Sequence, residues 1–134
     1  MANTRFELVT PAATLFSGEA EMVVCKTVDG EIAFLADHMP YIGALDPCLV
    51  RVVGPQGGGA EGEFRVAVHG GFVEVKDNQV IMLADIAQRP EEIDAAAAQR
   101  DADDAGSRVG SGMEDRSAET DLKWAHARLE AVRA

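Results

Sequence analysis

The feature that most constrains this chain is a change of period close to residue 88. Before it, apolar residues recur at every second position in short runs; after it, alanines and leucines recur at every third or fourth. A period of two puts alternate side chains on opposite faces of a strand, whereas spacings of three and four build one face of a helix. A chain that switches once from the first pattern to the second reads as an all-β body followed by helices.

The β half is legible from its turns. Glu63–His69 alternates, with Phe64, Val66 and Val68 on one face and Arg65, Ala67 and His69 on the other. Gly70-Gly71 separates this run from 72–76, and Asp77-Asn78 separates that from 79–84. Three strands joined by two tight turns are expected to form a meander. Residues 6–9, 21–28, 31–35 and 48–53 add β-rich runs, and the glycine-rich stretch 55–62 reads as a hairpin tip. Short strands at this spacing predict an antiparallel sandwich or barrel over residues 1–88.

Residues 89–134 predict a helical hairpin. Pro90 suits a first helical turn, and Glu91 and Glu92 suit the positive end of the helix dipole. The alanine-rich run 93–104 forms the first helix, and the glycines of 106–112 are expected to break it. A second helix spans about 115–133, with Leu122, Ala125, Leu129 and Val132 as its apolar face and Trp124 and Arg128 on a neighbouring one. The first helix offers little beyond Ile93 and alanine methyls, each contributing only about 0.8 kcal/mol on burial. Its docking is therefore expected to be weak, and the hairpin separable from the β body.

Charge narrows the function. The net charge of −11 over 134 residues argues against nucleic acid or an anionic lipid surface as a partner. Residues 1–88 carry 5 basic and 12 acidic groups, and 89–121 carry 4 and 10. Residues 122–134 reverse this with 3 and 1, a basic tip suited to an acidic partner. No apolar run is long enough to span a bilayer, and residues 1–5 lack an apolar signal core, so the chain is expected to work where it is made. Cys25 and Cys48 lie inside apolar strand-like runs and read as buried, reduced thiols.

Several segments resemble the epsilon subunits of bacterial F-type ATP synthases. Leu15-Phe16-Ser17-Gly18-Glu19-Ala20 matches that family's L-F-S-G-x-A/V. Gly30-Glu31-Ile32-Ala33-Phe34-Leu35-Ala36-Asp37-His38-Met39-Pro40 is similar to G-E-x-G-x-L-P-x-H-x-P. Leu45-Asp46-Pro47-Cys48-Leu49-Val50-Arg51-Val52 follows L-x-P-G-x-V-R-V, and His69-Gly70-Gly71-Phe72-Val73-Glu74-Val75 follows S-G-G-F-x-E-V. Leu83-Ala84-Asp85 and Ile93-Asp94 complete the order. Ala33 and Ala36 replace the family's loop glycine and proline, and Cys48 replaces a glycine, so that turn is not expected to need a positive φ.

The resemblance implies a non-catalytic rotor subunit on the cytoplasmic face of the bacterial plasma membrane, coupling proton-driven rotation of the c-ring to ATP synthesis. It implies contacts with the c-ring and the gamma subunit through Glu31, His38, Met39 and Pro40. It also implies an inhibitory arm, the helical hairpin 89–134, whose Lys123, Arg128 and Arg133 would meet an acidic segment of a beta subunit. Family members that bind ATP carry I/L-D-x-x-R-A; here Asp94 is present but Ala97 holds the arginine position, and Arg100 lies a turn further on. Without the guanidinium a bidentate phosphate contact is lost, so ATP binding is expected to be weak or absent and no cofactor is expected.

Other signals are weaker. Asp101-Ala102-Asp103-Asp104-Ala105-Gly106 opens like an EF-hand loop, but its twelfth position is Gly112 rather than glutamate. Gly57-Gly58-Gly59 has no following Gly-Lys-Ser/Thr, and His38, His69 and His126 show no metal-ligand spacing. The rival readings are a free-standing ligand-binding sandwich and a small hydrolase, the latter without a paired nucleophile and base.

Overall fold

The computed structural model describes residues 3–54, 63–111 and 116–133. Ten strands come first: β1 (Thr4–Val9), β2 (Thr14–Ala20), β3 (Met22–Thr27), β4 (Gly30–Leu35), β5 (Tyr41–Ala44), β6 (Cys48–Val53), β7 (Glu63–His69), β8 (Phe72–Lys76), β9 (Gln79–Leu83) and β10 (Ile86–Gln88). A 3-10 turn over Pro90–Glu92 leads to helices α1 (Ala95–Gly110) and α2 (Arg116–Val132). The strands form two five-stranded sheets, β2-β1-β9-β8-β5 and β10-β7-β6-β3-β4. All pairings are antiparallel except β1 with β9. The expected sandwich and the helical pair that follows it are both present; the tip 55–62 lies outside the described residues.

The inward positions fill one core between the sheets, led by Phe6, Leu8, Phe34, Val66, Val80 and Met82. Phe16 joins Phe6 and Phe64 at ring separations of 5.5 and 5.3 Å. Cys25 and Cys48 are buried free thiols in this core. Burial, with the neighbouring Cys48 adding to it, pushes the Cys25 thiol up to about 12, and burial pushes Cys48 up to about 11. Cys48 opens β6 without a positive φ, as expected.

The three-strand meander is corrected. β8 and β9 form the expected hairpin, with Asp77 and Asn78 at φ 52° and 57°, the type I′ geometry that suits the twist of the flanking strands. β7, however, pairs with β6 and β10 and not with β8. Gly70 and Gly71, at φ 78° and 98°, carry the chain across to the other sheet instead of folding it back. Gly71 packs so closely that a Cβ there would stand 1.8 Å from the Leu83 carbonyl oxygen.

The helix boundaries also differ. Pro90 opens the separate 3-10 turn, where the Glu92 carboxylate accepts the Arg89 N–H at 3.0 Å. α1 starts after Asp94, whose carboxylate accepts the N–H groups of Ala96 and Ala97 at 3.0 and 3.1 Å. It then runs through Gly106 to Gly110. A glycine inside a helix costs roughly 1 kcal/mol, and packing on α2 offsets it. Arg108 bonds Asp121 at 3.0 Å and Ser117 at 3.3 Å across the pair.

The expected apolar face of α2 is only half of the account. Ala118 and Ala125 are buried and Leu122, Leu129 and Val132 half-buried along one stripe, matching the buried Ala98, Ala102 and Ala105 of α1. A second stripe of Trp124, Ala127 and Ala131 packs with Ile93 on Leu49 and Ala67, cross-strand partners on the outer face of β6 and β7. α2 is therefore sandwiched, and it is the helix that seats the pair on the β body.

Candidate functional site

The described residues hold no group of three His, Cys, Asp or Glu side chains placed to bind a metal ion. What the fold builds instead are surfaces. The sheet bearing β6 and β7 is covered by α2, so the outer face of the sheet bearing β8 and β9 is the open one. Register defines two rows across it: Ile42, Glu74, Ile81 and Glu7, then Ala44, Phe72, Leu83 and Val9. Ile42 is 66% exposed and Phe72 42%, large values for side chains of that size. The second row ends in a shallow cleft of roughly 280 Å³, walled by Val9, Pro11, Phe72, Leu83 and Ala84 with Asp85 at its rim. Ile42, Phe72 and Leu83 are exposed apolar residues that the sequence alone does not mark as contacts. Their signal was outward parity in strands whose inward positions were already apolar.

The four residues at 31–40 are not brought together. Residues 30–35 are strand β4, the edge of its sheet, with a turn at each end. Glu31 faces solvent beside the β3–β4 turn, opposite Lys26 in the ladder. His38, Met39 and Pro40 lie past the far end of β4, with about 13 Å of strand between Glu31 and Leu35. Their turn is fixed from both sides. Asp37, at φ 60°, donates its N–H to the Asn78 side chain at 2.8 Å, and His38 Nδ1 lies 2.7 Å from the Met39 carbonyl oxygen. The His38 ring stands edge-on to Phe34 at 5.0 Å. Met39 is left 73% exposed, next to Pro40.

Lys123 and Arg128 of α2 are held by polar contacts. Lys123 pairs with Asp46, on the connection between β5 and β6, at 3.2 Å. Arg128 pairs with Asp101 of α1 at 2.9 Å and lies over the Trp124 ring at 5.3 Å from its centroid. Trp124 also makes an edge-type contact with His69 on β7, at a ring-centroid separation of 5.3 Å. Arg65 of β7 donates to the carbonyl oxygens of Glu130 and Arg133 at 3.0 and 3.3 Å, a cation at the negative end of the helix. The acidic run of α1 is spoken for: Asp101 by Arg128, Asp103 by Gln99 and Asp104 by Arg108. Asp94 caps α1, and Gly112 lies outside the described residues.

Comparison with known proteins points one way. The family described as "ATP synthase, Delta/Epsilon chain, beta-sandwich domain" matches residues 3–90. The ATP synthase epsilon chain of Shouchella clausii is 38% identical over 135 residues, covering 99% of this chain and 97% of that one. The ATP synthase epsilon chain of Desulforamulus reducens is 40% identical over 136 residues, covering 98% and 99%. A chain in the cryo-EM structure of the Euglena gracilis mitochondrial ATP synthase, OSCP/F1/c-ring, shares the fold with a TM-score of 0.78 at 24% identity, covering 98% of this chain and 81% of that chain. With its sandwich matched by the family and its full length by two such relatives, the chain belongs to the ATP synthase delta/epsilon family.

Proposed function

We propose that this chain is a non-catalytic central-stalk subunit of an F-type ATP synthase, peripheral to the cytoplasmic face of a bacterial membrane, whose sandwich transmits torque between c-ring and gamma subunit. The observation that carries the reading is full-length similarity to ATP synthase epsilon chains, combined with a sandwich that leaves one apolar face open. The open face, with Ile42, Phe72 and Leu83, is the surface assigned to gamma. Met39 and Pro40 lead into β5, the strand that carries Ile42, and are assigned to the same contact, with His38 orienting their turn. Glu31 lies at the opposite end of β4, beside the β3–β4 turn of exposed Val28 and Asp29, and its carboxylate suits the polar loops of the c-ring.

The helical pair is the regulatory arm. Extended from the sandwich, α2 would present Lys123, Arg128 and Arg133 to an acidic segment of a catalytic beta subunit and block rotation in the hydrolysis direction. ATP is not its switch on this reading. Asp94 is engaged in capping α1, and Ala97 supplies no phosphate contact, so ATP gains little differential affinity between the two arm positions. A tagged copy expressed in its host is expected to retain gamma and the c-ring on purification. A tagged copy that purifies alone would favour the free-standing binding module instead.

A further inference from the structure

The inference that follows rests on reading the arm's cations as the groups that meet an acidic partner. Two of those three cations are already neutralised by carboxylates of this same chain. Lys123 is held by Asp46 and Arg128 by Asp101, while Arg133 has no carboxylate partner among the described residues. Five residues apart on one helix, Lys123 and Arg128 point about 140° from each other. Their partners accordingly lie on different bodies, Asp46 on the sandwich and Asp101 on α1.

We propose that Asp46 and Asp101 are internal decoys for the arm's acidic target, each occupying one cation until a distinct motion releases it. Lifting the hairpin off β6 and β7 parts Lys123 from Asp46. It leaves Arg128 paired, because α1 travels with α2. Arg128 is freed only when the two helices separate, and its side chain, 13% exposed with the guanidinium over Trp124, is the more protected of the two. Arg65 is a lock of another kind: it grips backbone carbonyls at the end of α2 and masks no cation. The target must therefore exchange with Asp46 first and Asp101 second, and the decoys set how readily the arm becomes inhibitory.

The arrangement gives paired variants with opposite readouts. Asp46→Asn and Lys123→Gln break the same ion pair, one from each side. Trp124 is the single tryptophan and sits in the docked interface, so its quenching by acrylamide reports the lifted state in the full chain. Loss of one largely exposed pair is expected to raise the lifted population roughly 1.5- to 5-fold in both variants. In the assembled rotary enzyme the two should then diverge. Asp46→Asn, with Lys123 set free, lowers ATP hydrolysis below wild type by a comparable factor; Lys123→Gln, with the cation gone, leaves it at or above wild type. Wild-type quenching in both variants overturns the proposal, and so does an equal fall in hydrolysis in both, which would make the pair a simple staple. Truncation after Gln88 separates the two levels of argument. If truncation raises hydrolysis while Asp46→Asn changes nothing, only the decoys fall; if truncation raises nothing, the inhibitory arm falls and the decoys with it.

Discussion

Ala67→Glu tests whether the arm and the sandwich are separable. Ala67 is fully buried on the outer face of β7, pointing away from the main core and into the contact with Ala127, Ala131 and Trp124. What holds the arm there is modest. The Ala67, Ala127 and Ala131 methyls contribute about 0.8 kcal/mol each, and the exposed Lys123–Asp46 pair about 0.2–1 kcal/mol. The charged hydrogen bonds from Arg65 to the end of α2 add about 1.5–3 kcal/mol. A carboxylate placed at 67 would be buried without a partner, at a cost of several kcal/mol. That cost falls on the docked state alone and opposes the whole contact, the partly buried Trp124, Ile93 and Leu49 included, so the docked population falls and the carboxylate reaches water when the arm leaves. Acrylamide quenching of Trp124 should rise to nearly that of an unfolded chain, while the β-sheet signal by circular dichroism and its melting temperature change little. If Trp124 stays shielded and the whole protein melts earlier in one transition, arm and body are a single cooperative unit and the reasoning fails.

Three further outcomes follow from the geometry. Glu31→Ala should lower proton-driven ATP synthesis in reconstituted vesicles without changing the thermal melt, since Glu31 is exposed; undiminished synthesis would remove Glu31 from the ring contact. Gly71→Ala should destabilise the sandwich by more than about 2 kcal/mol in urea unfolding, because it combines a positive φ with a Cβ driven onto the Leu83 carbonyl; a wild-type midpoint would show that the crossing relaxes freely. The raised thiols act on stability only in alkali. Above pH 9 the unfolded chain loses thiol protons that the folded chain keeps until about 11 to 12, so stability should fall as pH rises through that window, and Cys25→Ser with Cys48→Ser should flatten the fall.

Much of the architecture was legible in the sequence because alternation and turn chemistry are local signals. The Glu63–His69 run gave both of its faces correctly, Val66 and Val68 to the core and Ala67 to the arm. Asp77-Asn78 marked its tight turn correctly. What could not be read was where a turn sends the next strand: Gly70-Gly71 looks like a hairpin in one dimension and is a crossing between sheets in three. Helix α1 outran its glycines because the partner that sustains it, α2, lies outside any local window. Trp124, Ala127 and Ala131 were hidden by a second apolar stripe built mainly of alanine, a residue that signals helix more strongly than it signals burial. The separation of Glu31 from His38 was legible in part, since the β-rich run 31–35 lies between them and is strand β4.

The most direct test of the division between a rotor-gripping body and a regulatory arm is an ATP synthase assembled with this chain ended after Gln88, assayed for both directions of turnover. Retained proton-driven synthesis together with raised ATP hydrolysis is the result expected. Loss of synthesis through failed assembly, or hydrolysis unchanged from the full-length enzyme, would contradict it.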